Sequence, residues 1–378
     1  MNKQEENTTT TDTGDDTIYF ATEISGKSWL LGVHAPLVDK ISLHKFKPQD
    51  AAGLISKVLQ IRAEAEKKLG RPMKVMAVYE AGYDGFWYHR MLIEAGIENL
   101  VINPASLQVD RRARRAKTDR IDAQGMVRAL MAYARGEDQV FSVVQVPSIE
   151  QEDRKRTLRE RKRLVKERIS HTNRINALLA TQGIYDFKPM RGDRLEQFDA
   201  LGLPECLGRE IHRQLKRLAF VLGMIKQVEQ ERDAVAIDDN PDNKTAHNIR
   251  QLQRFNGIGP EFSTILATEL YYRKFENRRK LAGFVGLASS PYKSGVMQHD
   301  QGISKAGPGR IRKTAVELAW LWTRFQPDSK LTKWFKARVG DMKGRIKKIN
   351  IVALARKLLI ALWRYLETGL IPEGAVMK

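Results

Sequence analysis

Cysteine is almost absent from this sequence, because Cys206 is the only one among 378 residues. A disulfide framework and a cysteine-rich zinc site are therefore excluded, and a reducing, cytosolic environment is expected. Long apolar runs are missing as well. The most apolar late stretch, residues 349–366, is interrupted by Arg356, Lys357 and Arg364, which excludes an ordinary membrane span.

Acidic residues are too few to balance the basic ones. Sixty-five lysines and arginines stand against 45 aspartates and glutamates, which leaves a formal net charge of +20. Because the excess is spread along the whole chain, the expected partner is a polyanion, and nucleic acid is the first candidate. Residues 1–16 are polar and lack the apolar core of a signal peptide, so a disordered tail is expected there.

The order of predicted elements indicates a mixed α/β domain over residues 17–146. Three short β-like runs precede an amphipathic helix, after which strands and helices alternate. The sequence predicts strands at 17–24, 28–34, 40–46, 73–79 and 99–102 and helices at 49–69, 83–95 and 119–134. This βββαβαβα order is that of the ribonuclease H-like fold.

Four carboxylates in this domain have positions that suit a metal site. Asp119 and Asp122 stand three residues apart at a predicted helix start, so they share one helix face. Glu23 and Glu80 are expected at the carboxyl ends of strands, where functional groups of open α/β sheets gather. Clustered carboxylates repel one another unless a cation such as Mg²⁺ or Mn²⁺ lies between them. The alternative is that the aspartates favour the helix dipole alone and the glutamates are solvated.

A charged helical arm is predicted next, over residues 147–240. A long charged helix at 148–184 is followed by a second helical stretch at 210–235, and a segment with proline and glycine at 182–208 separates them. The second stretch has a heptad seam, which predicts an antiparallel coiled-coil hairpin that serves as a spacer or dimerisation arm. The seam consists of Ile211, Leu215, Leu218, Leu222 and Ile225.

A mainly helical domain is predicted over residues 241–378. Residues 252–260, followed by an apolar helix to Leu270, have the form of a helix-hairpin-helix motif. Gly257 and Gly259 would let the backbone turn tightly and present amide groups to a phosphate. An ordinary helix–helix turn fits the same residues.

Two serines and several cations follow in predicted loops. A serine hydroxyl near cations can attack a phosphodiester, because the cations stabilise the charge that develops on the phosphoryl oxygens. A loop that only grips phosphate fits the composition as well. The residues concerned are Ser290, Lys293, Ser294, Lys305, Arg310 and Arg312.

Together these motifs resemble the DEDD-type insertion-sequence transposases of the one-hundred-ten family, which includes the pilin-gene invertases and the bridge-RNA-guided recombinases. The resemblance covers nearly all of residues 17–330. It is carried by V-Y-E-A-G-Y-D-G, N-P-A-S, K-T-D-R-I-D-A, G-I-G-P, S-G, G-I-S-K-A-G and R-I-R-K. It implies a RuvC-like domain, a coiled-coil arm and a transposase domain whose serine joins covalently to DNA.

The resemblance also implies the site residues and the reaction. The catalytic, metal-binding set would be Glu23, Glu80, Asp119 and Asp122, with Glu23 standing where the family usually has aspartate. The nucleophile would be Ser294, and Ser290 is the second choice. DNA strands would be cleaved and exchanged through a phosphoserine link, aided by Mg²⁺ or Mn²⁺.

The implied partners are donor and target DNA, a guide (bridge) RNA and further copies of the chain, as a dimer or tetramer, with no membrane. The implied location is the bacterial cytoplasm, at the nucleoid. The expected contacts with nucleic acid are Arg111, Arg112, Arg114, Arg115, Lys117, Gly257, Gly259, Lys293, Lys305, Arg310 and Arg312. Binding through the basic residues of this set would weaken steeply as the salt concentration rises.

Two other functions fit the sequence. A structure-specific nuclease resembling a junction resolvase would use the four carboxylates and water, and Ser294→Ala would leave its cleavage intact. A nucleic-acid-binding protein with an inactive acidic site would lose no activity in Asp119→Ala.

Overall fold

The computed structural model describes two units of the chain, residues 16–147 and residues 148–378. Within them it describes residues 16–36, 38–107, 118–238, 240, 242–294 and 297–378, with residues 292–294 and 297–301 described by their backbone alone. The predicted nucleic-acid contacts at 111–117 lie outside the described residues. No described helix is long and apolar enough to cross a membrane.

The first unit is built on a five-stranded mixed sheet. The sheet order is β3-β2-β1-β4-β5, with antiparallel pairing from β1 to β3 and parallel pairing of β4 with both β1 and β5. This mixed α/β architecture is compatible with the ribonuclease H-like fold. The elements are β1 (Thr17–Ile24), β2 (Trp29–His34), β3 (Ser42–Phe46), α1 (Ala51–Leu69), β4 (Lys74–Glu80), α2 (Trp87–Glu94), β5 (Glu98–Ile102), a 3₁₀ turn (Pro104–Ser106) and α3 (Asp119–Ala134).

Helices cover both faces of this sheet, which explains why its central strands are almost entirely apolar. Ile18 and Phe20 of β1 point to the core shared with α1 and α2. Tyr19 and Ala21 point to the opposite core, where they meet Val127 of α3. Side chains that alternate along a strand thus belong to two separate cores.

The second unit is mainly helical. Its elements are α4 (Ile149–Ala180), α5 (Arg194–Asp199), α6 (Glu205–Ala234), a 3₁₀ turn (Val235–Ile237), α7 (Lys244–Gln253), α8 (Pro260–Ile265), a π-helical turn (Leu266–Leu270), α9 (Arg278–Val285), β6 (Ser289–Ser294), β7 (Met297–Ile303), α10 (Gly309–Phe325), α11 (Lys330–Val339) and α12 (Arg345–Thr368). Strands β6 and β7 form an antiparallel hairpin.

Helices α4 and α6 pair along their length in opposite directions. Arg161, early in α4, contacts Glu229, late in α6, whereas Arg174, late in α4, contacts Glu210, early in α6. The heptad residues of α6 line the seam, although Leu222 is only half-buried. Helix α6 begins at Glu205, five residues earlier than predicted, because Pro204 fits the position before the first turn.

Further boundaries differ from the sequence prediction. Helix α2 begins at Trp87, four residues later than predicted. The apolar helix expected up to Leu270 is α-helical only to Ile265 and continues as a π turn. The tip of the arm contains a short helix, α5, which packs Phe198 against the base of the tip. Residues 289–294 and 297–303 form the two strands of the β6–β7 hairpin, where a loop was predicted. Strand pairing supplies the backbone hydrogen bonds that the serines, glycines and proline of this segment do not predict locally.

Candidate active site and nucleic-acid interface

Glu23 and Glu80 lie side by side at one edge of the sheet. Strands β1 and β4 are parallel neighbours, and their register pairs Thr22 with Tyr79. Glu23 and Glu80 are the next residues of the two strands and therefore lie beside each other. By strand alternation both point to the face that α3 covers, as do Ala21 and Val78. Both are half-buried. The structure therefore brings this half of the predicted acidic set together.

The two aspartates occupy the first turn of α3. Thr118 caps the helix, accepting a hydrogen bond on Oγ1 from the Ile121 N–H at 3.3 Å. Asp119 is exposed and Asp122 is half-buried. Helix α3 packs on β1 and β2. Its Ala123 carbonyl oxygen lies 3.5 Å from the Cβ position at Gly32.

This contact places Ala123 of α3 over the middle of the sheet. Gly32 pairs with Ala21, two residues before Glu23 on β1. Within the described part of the chain, however, no three His, Cys, Asp or Glu side chains are close enough to hold a metal ion together. The acidic set thus consists of a glutamate pair on the sheet and an aspartate pair on the helix above it.

A cavity of about 120 Å³ adjoins the glutamate pair. Glu23 and Glu80 line it, together with Tyr83 and Asp84 of the loop after β4. The Tyr83 side chain is 84% exposed. Neither residue was predicted as a site residue, although both closely follow a strand-end glutamate in the sequence. The cavity is bounded by the aromatic side chains of Trp29, Tyr79, Trp87 and Tyr88.

A buried hydrogen bond stiffens the wall behind the glutamates. The hydroxyl groups of Thr22 and Tyr88 are 2.8 Å apart, which links β1 to α2 one residue before Glu23. Burial raises the pKa of the Tyr88 hydroxyl well above its ordinary value. Tyr88 therefore stays protonated and serves as a hydrogen-bonding core residue.

The predicted nucleophile, Ser294, is the last residue of β6. Its backbone pairs with Met297 of β7, at the turn end of the hairpin. Lys293 precedes it in the same strand. Ser290 lies where the register shifts between Ser289 and Pro291. A bulge of this kind often re-aims a side chain next to an active site.

The loop after the hairpin is docked tightly on the end of α9. The Ser304 N–H donates to the Ala288 carbonyl at 2.9 Å. Gly307 has φ +73°, and a Cβ there would overlap the Phe284 carbonyl oxygen. Arg312 Nη1 donates to the Ala306 carbonyl at 3.1 Å. These contacts fix the path of the chain that returns from the hairpin to α10.

Two predicted nucleic-acid contacts have internal partners in this structure. Arg312 Nη1 also donates to the Val285 carbonyl at 3.0 Å. Arg310 Nη1 lies 2.8 Å from Glu269 Oε1, and Arg310 Nη2 donates to the Leu158 carbonyl at 3.1 Å. The ion pair is mostly buried, since only 19% of the Arg310 side chain and 12% of the Glu269 side chain are exposed. Arg310 thus ties α10 to the arm helix α4, a role that the sequence does not indicate.

Lys305 differs from these arginines because its side chain is exposed. Its backbone has φ +57°, a left-handed conformation that is uncommon outside glycine. Such backbone strain is concentrated at functional sites.

The predicted helix-hairpin-helix turn connects α7 to α8. Gly257 has φ +89°, and a Cβ there would lie 2.9 Å from the Cβ of Phe325. Gly259 precedes α8 directly. The Asn256 N–H donates to the Val376 carbonyl at 3.2 Å. The end of α10 and the C-terminal residues therefore hold this turn in place.

Two family models match the chain. A model described as "Transposase IS116/IS110/IS902 family" matches residues 249–333, and a DEDD-type IS110 model described as "Transposase" matches residues 41–183. A Sinorhizobium fredii protein named "Putative transposase y4rJ" is 44% identical over 374 residues, which cover 96% of this chain and 94% of that protein. The chain belongs to the IS116/IS110/IS902 transposase family. As a member of this transposase family, it is an enzyme that cleaves and rejoins DNA, and DNA is its partner.

More distant transposases are similar over most of their length. "Putative transposase y4qE" of Sinorhizobium fredii is 28% identical over 84% of this chain and 73% of its own. "Transposase for insertion sequence element IS1111A" of Coxiella burnetii is 27% identical over 74% of each chain. The matched range 41–183 includes Glu80 and both aspartates of α3 but begins after Glu23.

Proposed function

We propose that this transposase cleaves and exchanges DNA strands through a phosphoserine intermediate on Ser294, in a reaction that depends on its four acidic residues. The observation that carries the acidic half of the proposal is the placement of Glu23 and Glu80. They lie at adjacent parallel strand ends, half-buried, on the sheet face that α3 covers. We further propose that this sheet is a RuvC-like variant of the ribonuclease H-like fold.

The donor set of this site fits a small divalent cation. Carboxylate oxygens are the ligands that Mg²⁺ and Mn²⁺ prefer, and two half-buried glutamates side by side gain most from a shared cation. Glu23, Glu80, Asp119 and Asp122 would hold it. When bound, the cation would supply neutralisation of the charge that develops on the phosphoryl group.

The serine step follows ordinary phosphoryl-transfer chemistry. Ser294 Oγ loses its proton to a base and forms a bond to phosphorus, while the bond from phosphorus to a deoxyribose oxygen breaks. That oxygen leaves with a proton. The reverse attack by a deoxyribose hydroxyl on the phosphoserine releases Ser294 and reseals DNA, so no energy source is needed. Ser290, at the bulge of the same strand, is the second candidate for the nucleophile.

The remaining parts of the proposal concern partners. The basic residues from Arg111 to Lys117, which adjoin the acidic helix in sequence, would bind a bridge RNA that selects donor and target DNA by base pairing. Gly257 and Gly259 would hold a DNA phosphate, as would the cations Lys293, Lys305 and Arg312, whereas Arg310 is held inside the unit by Glu269. The enzyme would act as a dimer or tetramer at the nucleoid, with the α4–α6 arm joining the copies.

The proposal is tested by trapping the covalent intermediate. Purified enzyme, Mg²⁺, co-purified RNA and end-labelled element DNA are mixed, and label that stays with the protein is measured on a denaturing gel. We expect covalent label with the parent enzyme and none with Ser294→Ala or Asp119→Ala. Ser289→Ala, the exposed serine at the start of β6, is the matched control and should retain the label.

The other outcomes assign a different function. Cleaved DNA without attached protein, unchanged in Ser294→Ala, would mean a metal-dependent nuclease. Label lost in Ser290→Ala and kept in Ser294→Ala would move the nucleophile to the bulge. Recombination that survives Asp119→Ala would remove the acidic site from the mechanism.

A further inference from the structure

An open groove of about 1070 Å³ lies in the second unit between α9, α12 and the residues after α12. None of its lining residues was among the nucleic-acid contacts expected from the sequence. Five of its fourteen lining residues are basic, and they come from two helices that are far apart in the sequence. These basic residues are Arg278, Arg279, Arg356, Lys357 and Arg364.

The basic residues form two walls. On α12, Arg356, Lys357 and Arg364 are spaced so that they lie on one helix face. On α9, Arg278 and Arg279 occupy the first turn. Helices α9 and α12 are in contact, so the two walls face a common groove. All but the half-buried Arg356 are exposed.

These positive charges have no carboxylate partner in the described part of the unit. Among the described residues, none of the five basic side chains has a carboxylate within ion-pair distance. The acidic lining residue, Glu373, lies 2.7 Å from Lys330 and is paired with it. Lys357 Nζ lies over the Trp334 ring, 4.7 Å from its centroid. The repulsion among clustered cations is an unfavourable term that a bound polyanion would remove.

The floor of the groove indicates which polyanion fits. It is formed by small and aliphatic side chains, and no aromatic residue is found among its described lining residues. Sites for single strands usually offer aromatic rings on which bases stack. A surface with cations and aliphatic contacts suits a duplex, whose phosphates meet the cations and whose sugars meet the floor. The floor residues are Ala282, Ala288, Leu331, Ile360, Ala361, Leu370, Ile371 and Pro372.

We propose that this groove binds the phosphate backbone of duplex DNA and holds the substrate of the transposase without reading its sequence. The proposal rests on DNA being the partner of the family, and it does not depend on the identity of the nucleophile. Binding here is a separate property from strand cleavage, so the two can be measured independently.

The test measures binding of a fluorescent 30-base-pair duplex by anisotropy in EDTA, where no cleavage occurs, at several salt concentrations. Each phosphate contact contributes about 0.9 to the slope of log K against log salt. We expect Arg278→Gln/Arg279→Gln and Arg356→Gln/Arg364→Gln each to lower that slope by about 1.8. Since each contact corresponds to about eightfold in affinity at 0.1 M salt, each double variant should bind about 60-fold more weakly.

Two controls keep the result specific. Lys67→Gln/Lys68→Gln removes the same charge from exposed positions at the end of α1 in the other unit and should change the slope little. Arg278→Lys/Arg279→Lys keeps the charge and should keep the slope. Melting curves of all variants should match the parent enzyme, because the substituted side chains are exposed or half-buried at the surface.

The contrary results are equally clear. Groove variants that lose no more affinity than the α1 control would overturn the proposal. A loss confined to a single-stranded DNA or an RNA hairpin of equal length, with duplex binding intact, would assign the groove to that ligand and contradict the choice of duplex. Groove variants that lose duplex binding but still form the phosphoserine link at saturating DNA would support this proposal. That result does not depend on whether Ser294 is the nucleophile.

Discussion

Gln326 is the residue whose replacement tests the architecture of the hairpin turn most sharply. It follows α10 and is fully buried. Its Nε2 donates to the carbonyls of Asn256 at 2.9 Å and Val376 at 2.7 Å, and its Oε1 accepts from the Val376 N–H at 2.7 Å. One side chain thus joins the turn before α8, the end of α10 and the C-terminal residues.

The size of the effect of Gln326→Leu follows from the groups it leaves without a partner. The Val376 carbonyl still accepts from the Asn256 N–H at 3.2 Å, whereas the Asn256 carbonyl and the Val376 N–H lose the bonds described here. A buried polar group without a partner costs about 1–3 kcal/mol. Burial of the apolar leucine side chain offsets part of this cost, so we expect the free energy of unfolding to fall by about 2–4 kcal/mol. For a unit of this size, that loss lowers Tm by roughly 5–15 °C.

The assay is thermal unfolding followed by circular dichroism and, for ΔG, urea titration. Gln182→Leu, at an exposed position near the tip of the arm, is the matched control and should stay within about 0.5 kcal/mol of the parent protein. Equal stability of Gln326→Leu and the control would refute the reasoning.

Three further predictions follow from single contacts. Gly257→Ala should lower the free energy of unfolding of the second unit by about 1–3 kcal/mol in urea titration, because φ is +89° and the new methyl group meets Phe325. Gly259→Ala is the control and should have a much smaller effect, because φ is −94° and no described atom lies within 4 Å of its Cβ position. Equal losses in the two variants would contradict this prediction. Glu269→Gln should lower the free energy of unfolding by about 2–3 kcal/mol, because it leaves the mostly buried Arg310 charge without its carboxylate partner. A melting curve that matches that of the parent protein would contradict this prediction. Burial raises the pKa of Tyr88 in the folded state, so the contribution of Tyr88 to stability is complete below the ordinary tyrosine pKa and falls as the pH rises above it. The free energy of unfolding, measured from pH 8 to 11, should therefore fall less steeply in Tyr88→Phe than in the parent protein. Identical slopes would contradict this prediction.

Local signals predicted the first unit well. The bounds of β1 and α3 agree with the sequence prediction, because alternation, a strong cap at Thr118 and helical periodicity all act over a few residues. The juxtaposition of Glu23 and Glu80 was also predictable, since parallel strand ends meet at one edge of a sheet. What the sequence left open is the distance from the glutamate pair to the aspartates, which depends on how α3 crosses the sheet.

The second unit depends more on contacts between distant residues. The β6–β7 hairpin was predicted as a loop, because its residues have weak strand propensity and its pairing is decided only in the folded chain. The basic groove was missed because Arg278 and Arg364 are separated by most of the domain, and the pattern of α12 predicts only packing. Arg310 was predicted to contact nucleic acid, whereas in the structure it is mostly buried and paired with Glu269.

The central claim, attack by Ser294 on DNA, is tested most directly by locating the nucleotide on the protein. Trypsin cleaves after Lys280, Lys293 and Lys305, so Ser290 falls in peptide 281–293 and Ser294 in peptide 294–305. After trapping and nuclease digestion, mass spectrometry should find the residual nucleotide on peptide 294–305, with fragment ions placing it on Ser294. An adduct on peptide 281–293, or cleaved DNA with no adduct on either peptide, would contradict the account.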